Sequence, residues 1–355
     1  MRRATRVANV GNVRIGGDYP IVIQSMTNTP TVDVGATAAQ ISRLAAAGCR
    51  LVRVAVPDSA ALSAFALLVA KTDVPLIADI HFDYRLAVGA IERGAAEVRI
   101  NPGNIGGVTE VRAVISAASR YGTALRIGVN SGSLPAAVLS RFGRPTAEAM
   151  VEAALLHERE IRDMGFENLI FSLKSSDVYT TVRANVLFSE QSDFPLHVGV
   201  TEAGTLLCGA VRSAVGIGVL LSQGIGDTIR VSLTADPVEE VRVAKEILAS
   251  LDLADKQLRV VSCPTCARTS SELIQIAEAV EKNLEEFSHL PLKVAVMGCS
   301  VNGPGEAREA HVGIALAPGG AVLFRDGKAC ELIPLAEATE RLTAEVRSLA
   351  ASLVR

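Results

Sequence analysis

The sequence predicts an α/β protein, a (β/α)8 TIM-type barrel followed by a smaller α/β domain. Three observations carry this expectation. Eight short β-rich runs alternate with longer helical stretches through the first two thirds of the chain. The pattern then changes after a charged stretch at Asp252–Arg259. Finally, no G-x-G-x-x-G turn follows the first run, so the competing doubly wound dinucleotide fold has no specific support.

The β-rich runs are Ile21–Ser25, Leu51–Ala55, Pro75–Ile80, Glu97–Asn101, Ala124–Asn130, Leu169–Lys174, Leu196–Thr201 and Thr228–Ser232. Between them, stretches such as Gly35–Ala47, Thr109–Tyr121, Thr146–Met164 and Thr205–Ser222 repeat apolar residues at helical spacing. Pro237–Leu251 follows the eighth run in the same way. Eight β–α units over about 250 residues are the signature of a barrel. The barrel is assigned residues 1–252 and the second domain residues 258–355. In the second domain a strand at Arg259–Ser262 leads to Cys263, and one at Lys293–Met297 leads to Cys299. A helix at Ser271–Phe287 lies between them; β-rich pieces at His311–Ala315 and Ala321–Phe324 and a helix at Ala336–Leu349 complete it.

Composition excludes several function classes. The formal net charge is −3, which argues against a general nucleic-acid or anionic-membrane surface. Aromatic residues are 4% and Trp is absent, so base-stacking platforms are not expected. No apolar run reaches the roughly 20 clean residues of a membrane span. The basic N-terminus lacks the apolar stretch of a secretory signal. A cytoplasmic protein is expected. Six Cys in 355 residues make no disulfide framework, so a close pair points to a metal site or a redox pair.

Cys263-Pro-Thr-Cys266 sets two thiolates close enough for one metal centre, and Cys299 follows the next strand. Three thiolates suit a soft metal, either zinc or an iron–sulfur cluster. A structural zinc wants a fourth Cys or His, and the nearest His is His311. Glu306 is the nearest acidic side chain. A thiol–disulfide pair at Cys263 and Cys266 is the third possibility. Cys49, Cys208 and Cys330 are isolated and are expected to be small buried hydrophobes.

Residues two apart share a face of a strand. Polar residues recur at that spacing towards the strand ends: Arg53; Asp79 and His81; Arg99 and Asn101; Arg126, Gly128 and Asn130; Ser172 and Lys174; Thr201, followed by Glu202; Arg230 and Ser232. Barrel active sites lie at the C-terminal ends of the strands. Burying five cations there is costly without a matching anion, and guanidinium forks suit phosphate oxygens. A diphosphate ligand resolves the conflict, although internal acids such as Asp79 or Glu97 would also pair some of them. Glu202 and His81 are the groups best placed for acid–base work. The loop Asn101-Pro-Gly-Asn-Ile-Gly-Gly107 offers backbone N–H groups to phosphate.

QSMTNTPTVDV from Gln24, ADIHFDYRLA from Ala78, RINPGNIG from Arg99, RIGVNSGSL from Arg126, SLKSSD from Ser172, GVTEAG from Gly199, SCPTCAR from Ser262 and VMGCSVNGPGEA from Val296 run in order along nearly the whole chain. On these stretches the chain resembles the bacterial 4-hydroxy-3-methylbut-2-enyl diphosphate synthases of the non-mevalonate isoprenoid pathway. The resemblance implies a barrel followed by a domain holding a four-iron four-sulfur (4Fe-4S) cluster on Cys263, Cys266, Cys299 and Glu306. The implied reaction is reductive ring opening of 2-C-methyl-D-erythritol 2,4-cyclodiphosphate with loss of water. The implied diphosphate contacts are Arg53, Arg99, Arg126, Asn130, Lys174, Arg230 and Ser232, with Thr201 and Glu202 at the reacting end and Asn302 beside the cluster. His81 joins the substrate-binding set, and Glu202 and Glu306 are the expected catalytic residues. A reduced flavodoxin or ferredoxin as donor and a homodimer are implied too. One departure is His311, near a position where the family usually carries an acid. The rival reading is a zinc-stapled barrel that binds a phosphorylated or pterin-like ligand without redox chemistry.

Overall fold

A computed structural model describes residues 2–254, 257–267, 269–299 and 308–353. The chain divides into two compact units, Met1–Ala254 and Asp255–Arg355.

The first unit opens with an antiparallel hairpin, β1 (Val7–Val10) and β2 (Val13–Gly16), which has no counterpart among the expected elements. Eight parallel strands follow: β3 (Val22–Met26), β4 (Leu51–Ala55), β5 (Leu76–Asp79), β6 (Glu97–Ile100), β7 (Ala124–Asn130), β8 (Leu169–Lys174), β9 (His197–Val198) and β10 (Thr228–Ile229). They pair in the order β8-β7-β6-β5-β4-β3-β10-β9. A parallel bridge between Phe171 and Leu196, with Phe171 N–H donating to the Pro195 carbonyl at 2.9 Å, brings the two ends of the sheet together. The (β/α)8 barrel is the observed fold.

Its helices are α1 (Val34–Ala46), α2 (Ser59–Lys71), α3 (Tyr84–Glu92), the short α4 (Pro102–Ile105), α5 (Val108–Tyr121), α6 (Ala136–Phe142), α7 (Ala147–Asp163), α8 (Val178–Ser189), α9 (Leu206–Ser222) and α10 (Pro237–Ser250). Five start alike. Asp33, Asp58, Asp83, Asp177 and Asp236 each accept a backbone N–H from the first turn. Such a cap stabilises a helix start by about 1 kcal/mol.

Alternation along the strands sorts the barrel. Val52, Val54, Ala78, Val98, Leu125 and Ile127 belong to the large core shared with the helices. Val22, Leu51, Ile77, Ala124 and Ile170, near the strand starts, pack against Ala8, Val10, Val13 and Ile15 of the hairpin. The hairpin therefore plugs the N-terminal end of the barrel, and chemistry is confined to the other end. β9 and β10 are shorter than their sequence runs. Their ladder stops where Gly199 passes the Arg230 backbone: a Cβ there would lie 2.2 Å from the Arg230 carbonyl oxygen.

The second unit is a five-stranded mixed sheet with helices. It comprises β11 (Arg259–Ser262), α11 (Leu273–Asn283), β12 (Lys293–Met297), β13 (Val312–Ala317), β14 (Gly320–Arg325), β15 (Lys328–Ile333) and α12 (Ala338–Leu353). The strands pair in sequence order, β11 to β13 in parallel and the rest antiparallel. Leu273, Ile276 and Val280 of α11 and Leu342 and Val346 of α12 pack on Val294, Val296 and Ile314. β15 went unforeseen because five of its six residues are exposed, which erases the period-2 signal of an amphipathic strand. No helix among the described residues is long and apolar enough to cross a membrane.

Candidate functional site

The inward faces of the barrel strands carry Gln24, Arg53, Asp79, Glu97, Arg99, Arg126, Ser172, Lys174 and His197, each in register with a neighbour strand. A polar barrel interior is unusual, because these lumens are ordinarily filled by branched apolar side chains. Asp79 faces two cations, Arg53 Nη2 at 3.5 Å and Arg99 Nη1 at 3.7 Å. Arg126 Nε lies 3.0 Å from Glu97 Oε1, both side chains being 1% exposed. Arg126 Nη1 also donates to Gln24 Oε1 at 2.7 Å. Arg230 Nε is 3.5 Å from Glu240 Oε2, which accepts from Ser25 Oγ at 2.8 Å. Lys174 Nζ lies 3.0 Å from His197 Nε2. Four of the five cations thus share three buried carboxylates, Asp79, Glu97 and Glu240, while Lys174 faces His197.

The pairs leave donors over. Arg126 Nη2 and Gln24 Nε2 are buried without a hydrogen-bond partner among the described residues. Arg99 lies across Gly128, where a Cβ would come within 2.6 Å of its Nε. Burial brings the Arg53 guanidinium down to about 9, against the attraction of Asp79. Burial and then Arg230, Arg126, Arg53 and Arg99 hold the Lys174 ammonium well below its ordinary value. The four arginines thus all lie within electrostatic reach of Lys174.

Burial alone would raise the Asp79 carboxyl, but Arg53, the hydrogen bond with His81 and Arg99 outweigh it and hold it far below the ordinary carboxylate range. Its folded-state pKa is below the unfolded value, so the unfolded chain binds more protons between the two. This stability is therefore complete above the unfolded value of about 3.9 and is lost as the pH falls towards the folded one. Asp79→Asn is expected to lower the urea midpoint at neutral pH, and the gap from the unchanged protein should close on acidification. A gap independent of pH would place the effect in packing rather than charge.

The other sequence-predicted residues lie around this core. Asn130, Thr201 and Ser232 are half-buried, beyond or at the strand ends. His81 is half-exposed, with Nε2 3.0 Å from Asp79 Oδ2. Glu202 is exposed and adopts a left-handed backbone at φ +53°, uncommon for a non-glycine residue and a mark of functional sites. The glycine-rich loop is partly committed to itself: Asn101 Oδ1 accepts the Gly103 N–H at 3.1 Å and Glu110 takes the Gly107 N–H at 2.8 Å. Those two N–H groups are therefore not on offer to a phosphate, which corrects the expectation for the loop. Gln24, His197 and Glu240 escaped the sequence reading. His197 had a signal, since it shares the alternation that places Gly199 and Thr201.

In the second unit, Ser262 pairs with Val296 on parallel strands, so Cys263 and the Gly298–Cys299 turn leave adjacent strand ends. Cys263 Sγ accepts the Gly298 N–H at 3.0 Å, a bond of the kind that stabilises a ligating thiolate. Cys266 Sγ is 3.5 Å from Thr269 Oγ1 and is exposed. None of the six cysteines is in a disulfide. Among the described residues no group of three or more His, Cys, Asp or Glu side chains stands at single-ion spacing. A multi-iron cluster spreads its thiolates wider than one ion does, and its ligands are soft thiolates, so this donor set fits it. His311 is engaged elsewhere: its Nδ1 accepts the Lys293 N–H at 2.9 Å, at the start of β12, the end opposite Cys299. Asn302 and Glu306 lie outside the described residues. Cys49 is buried as expected, whereas Cys208 and Cys330 are exposed, on the first turn of α9 and on the exposed strand β15.

The GcpE TIM-barrel domain matches residues 5–245 and the GcpE protein C-terminal domain matches residues 259–348. A relative from Anoxybacillus flavithermus, named 4-hydroxy-3-methylbut-2-en-1-yl diphosphate synthase (flavodoxin), is 52% identical over 98% of this chain and 96% of its own. A Geobacter sulfurreducens protein of the same name is 52% identical over 99% of both chains. Among solved structures, the dihydropteroate synthase of Yersinia pestis superposes with a TM-score of 0.51 at 13% identity, over 70% of this chain and 100% of its own. That likeness concerns the barrel fold alone. Matched by both domains in order and by relatives at this identity over nearly its full length, the chain belongs to the GcpE family.

Proposed function

We propose that the chain catalyses the reductive ring opening and dehydration of 2-C-methyl-D-erythritol 2,4-cyclodiphosphate to 4-hydroxy-3-methylbut-2-enyl diphosphate. The observation that carries this reading is the excess of cations over carboxylates in a buried barrel mouth. Such a site repels a cationic ligand, gains little from a neutral one and rewards one with several negative charges. The names of the relatives supply the diphosphate product.

In this reading Arg53, Arg99, Arg126, Lys174 and Arg230 bind the diphosphate, with Asn130 and Ser232 as neutral donors. Their fixed charges stabilise the phosphate oxygen that is released when the ring opens. Thr201 and His81 orient the carbon end. Glu202 holds the proton delivered to the departing hydroxyl. Cys263, Cys266 and Cys299, with Glu306 and with Asn302 beside it, would hold a 4Fe-4S cluster. When bound, such a cluster supplies the two electrons of the reaction one at a time. The external donor is a reduced flavodoxin, as in the relatives' printed names, or a ferredoxin. Residues 1–252 form the substrate-binding domain and 258–355 the cluster domain, in the cytoplasm. The protein works as a homodimer; the exposed row Leu207, Val211, Val215 and Val219 on α9 supports a partner-covered face.

Anaerobically purified protein, given the cyclic diphosphate and reduced flavodoxin, is expected to form the linear diphosphate and one water. It is expected to be brown, with about four irons per chain. Colourless protein carrying one zinc and no turnover would overturn the reading in favour of the zinc-stapled barrel.

A further inference from the structure

We propose that His197 is a positioning residue for Lys174, a neutral imidazole protonated on Nδ1 that fixes the ammonium in the barrel mouth without cancelling its charge. This rests on the diphosphate reading above and adds to it a residue outside the motifs that carried the resemblance.

The chemistry of the two groups sets the proton positions. An ammonium has three donors and no acceptor. With Lys174 protonated, as the proposal requires, His197 Nε2 accepts at 3.0 Å from Nζ; a neutral amine would instead accept from a protonated Nε2, and the two arrangements differ in which ring nitrogen carries the proton. Beside the ammonium the ring proton sits on Nδ1, which faces Thr228 Oγ1 at 3.4 Å, on the residue paired with His197 across β9 and β10. A second proton on the ring would point at an ammonium inside a cluster of cations. Burial, Lys174, Arg126, Arg53 and Arg230 all push the imidazolium well below its ordinary value, in agreement with a neutral ring.

The rest of the mouth shows why this matters. Arg53 and Arg99 face Asp79, Arg126 faces Glu97, and Arg230 faces Glu240. Among the described residues Lys174 alone of the five is held by a neutral acceptor rather than a carboxylate. A carboxylate at position 197 would hold the amine and spend its charge. An aliphatic residue would leave a buried ammonium without an acceptor, which favours loss of its proton. Gly199 supports the same placement from the neighbouring inward position. A Cβ there would come within 3.1 Å of Lys174 Nζ, so the bare backbone leaves the slot that the lysine occupies.

The test is a double-mutant cycle on the full chain, read as the dissociation constant of inorganic diphosphate by calorimetry. Lys174→Met and His197→Leu are each expected to weaken binding about tenfold or more, and the double variant to bind no worse than Lys174→Met alone. His197→Gln, whose amide oxygen can accept from Nζ, should restore binding to within about threefold of the unchanged protein. Full additivity of the two losses, or unchanged binding by His197→Leu, would overturn the proposal. Nitrogen-15 spectra of the unchanged protein decide it independently of folding in any variant and of any ligand. A proton on Nδ1 with an acceptor Nε2 is expected; a proton on Nε2 would overturn it. Inorganic diphosphate keeps the two readings apart, because binding without turnover of the cyclic substrate would sink the proposed reaction and leave the cycle on His197 intact.

Discussion

On the proposed cluster reading, Cys266→Ser protein is expected to fold its barrel, to fail to hold iron and to lose turnover. Cys266 is exposed, follows β11 and donates its backbone N–H to no strand, so its side chain holds no part of either core. Its loss costs little packing. The chemistry is another matter. A cluster is held by soft thiolate ligands, and a serine hydroxyl is a hard oxygen donor that does not replace one. With two cysteines left, iron is expected to fall from about four per chain to below about one. Turnover should fall by about 1,000-fold or more, since the electrons have no other route; that factor corresponds to about 4 kcal/mol of barrel-independent activation free energy. Inorganic diphosphate should still bind with unchanged affinity, because the hydrophobic core of the barrel is built from residues of the first unit alone. Iron analysis, visible absorbance and calorimetry on the same preparation check all three. Serine protein that kept both its iron and its turnover would remove Cys266 from the ligand set.

The sequence was most legible where one physical pattern ruled a whole element. β4, β7 and β8 appear with the bounds read from their alternation, β6 differs by a residue at one end, and β3 and β5 differ by a residue at each end. The polar residues at every second position were legible for the same reason: nothing else explains Arg126, Gly128 and Asn130 on one face of a strand. Elements governed by distant partners were not legible. The hairpin β1–β2 is only a basic N-terminus until the open end of a barrel gives Val10 and Ile15 something to cover. β15 lacks an apolar face, and it exists because β14 offers it an edge. The acids of the site divide in the same way. Asp79 and Glu97 lie on strands and share the alternation of the cations. Glu240 sits on α10 and reaches Arg230 from outside the strand pattern, so no periodicity pointed to it.

That division between pairing and binding can be separated at Arg126. Arg126→Met is expected to cost about 3–5 kcal/mol of stability, because it leaves Glu97 buried and without its cation. Burial already raises the Glu97 carboxyl, against the pull of Arg126. Without the arginine it rises further. Its folded-state pKa, already above the unfolded one, moves higher still, so the folded chain keeps a proton that the unfolded chain releases over a wider range. Both proteins lose stability alike as the pH rises from the unfolded value of about 4.3, and the extra penalty of the variant grows only above the folded value of the unchanged protein, towards its own higher one. The stability gap between Arg126→Met and the unchanged protein should therefore narrow in acid. Removing both partners, as Arg126→Met with Glu97→Met, should recover most of the loss, since two well-packed apolar groups replace a buried pair at little net cost. Binding should not recover. Arg126 Nη2 is a buried donor without a partner among the described residues, and a charge-assisted bond from it to a phosphate oxygen contributes about 1.5–3 kcal/mol. The double variant should thus melt near the unchanged protein yet bind inorganic diphosphate about 10–100-fold more weakly. Denaturant midpoints and calorimetry on the same samples measure both quantities. If stability and affinity returned together, Arg126 would be a structural cation, and the diphosphate would have to be held by the other four cations, Arg53, Arg99, Lys174 and Arg230.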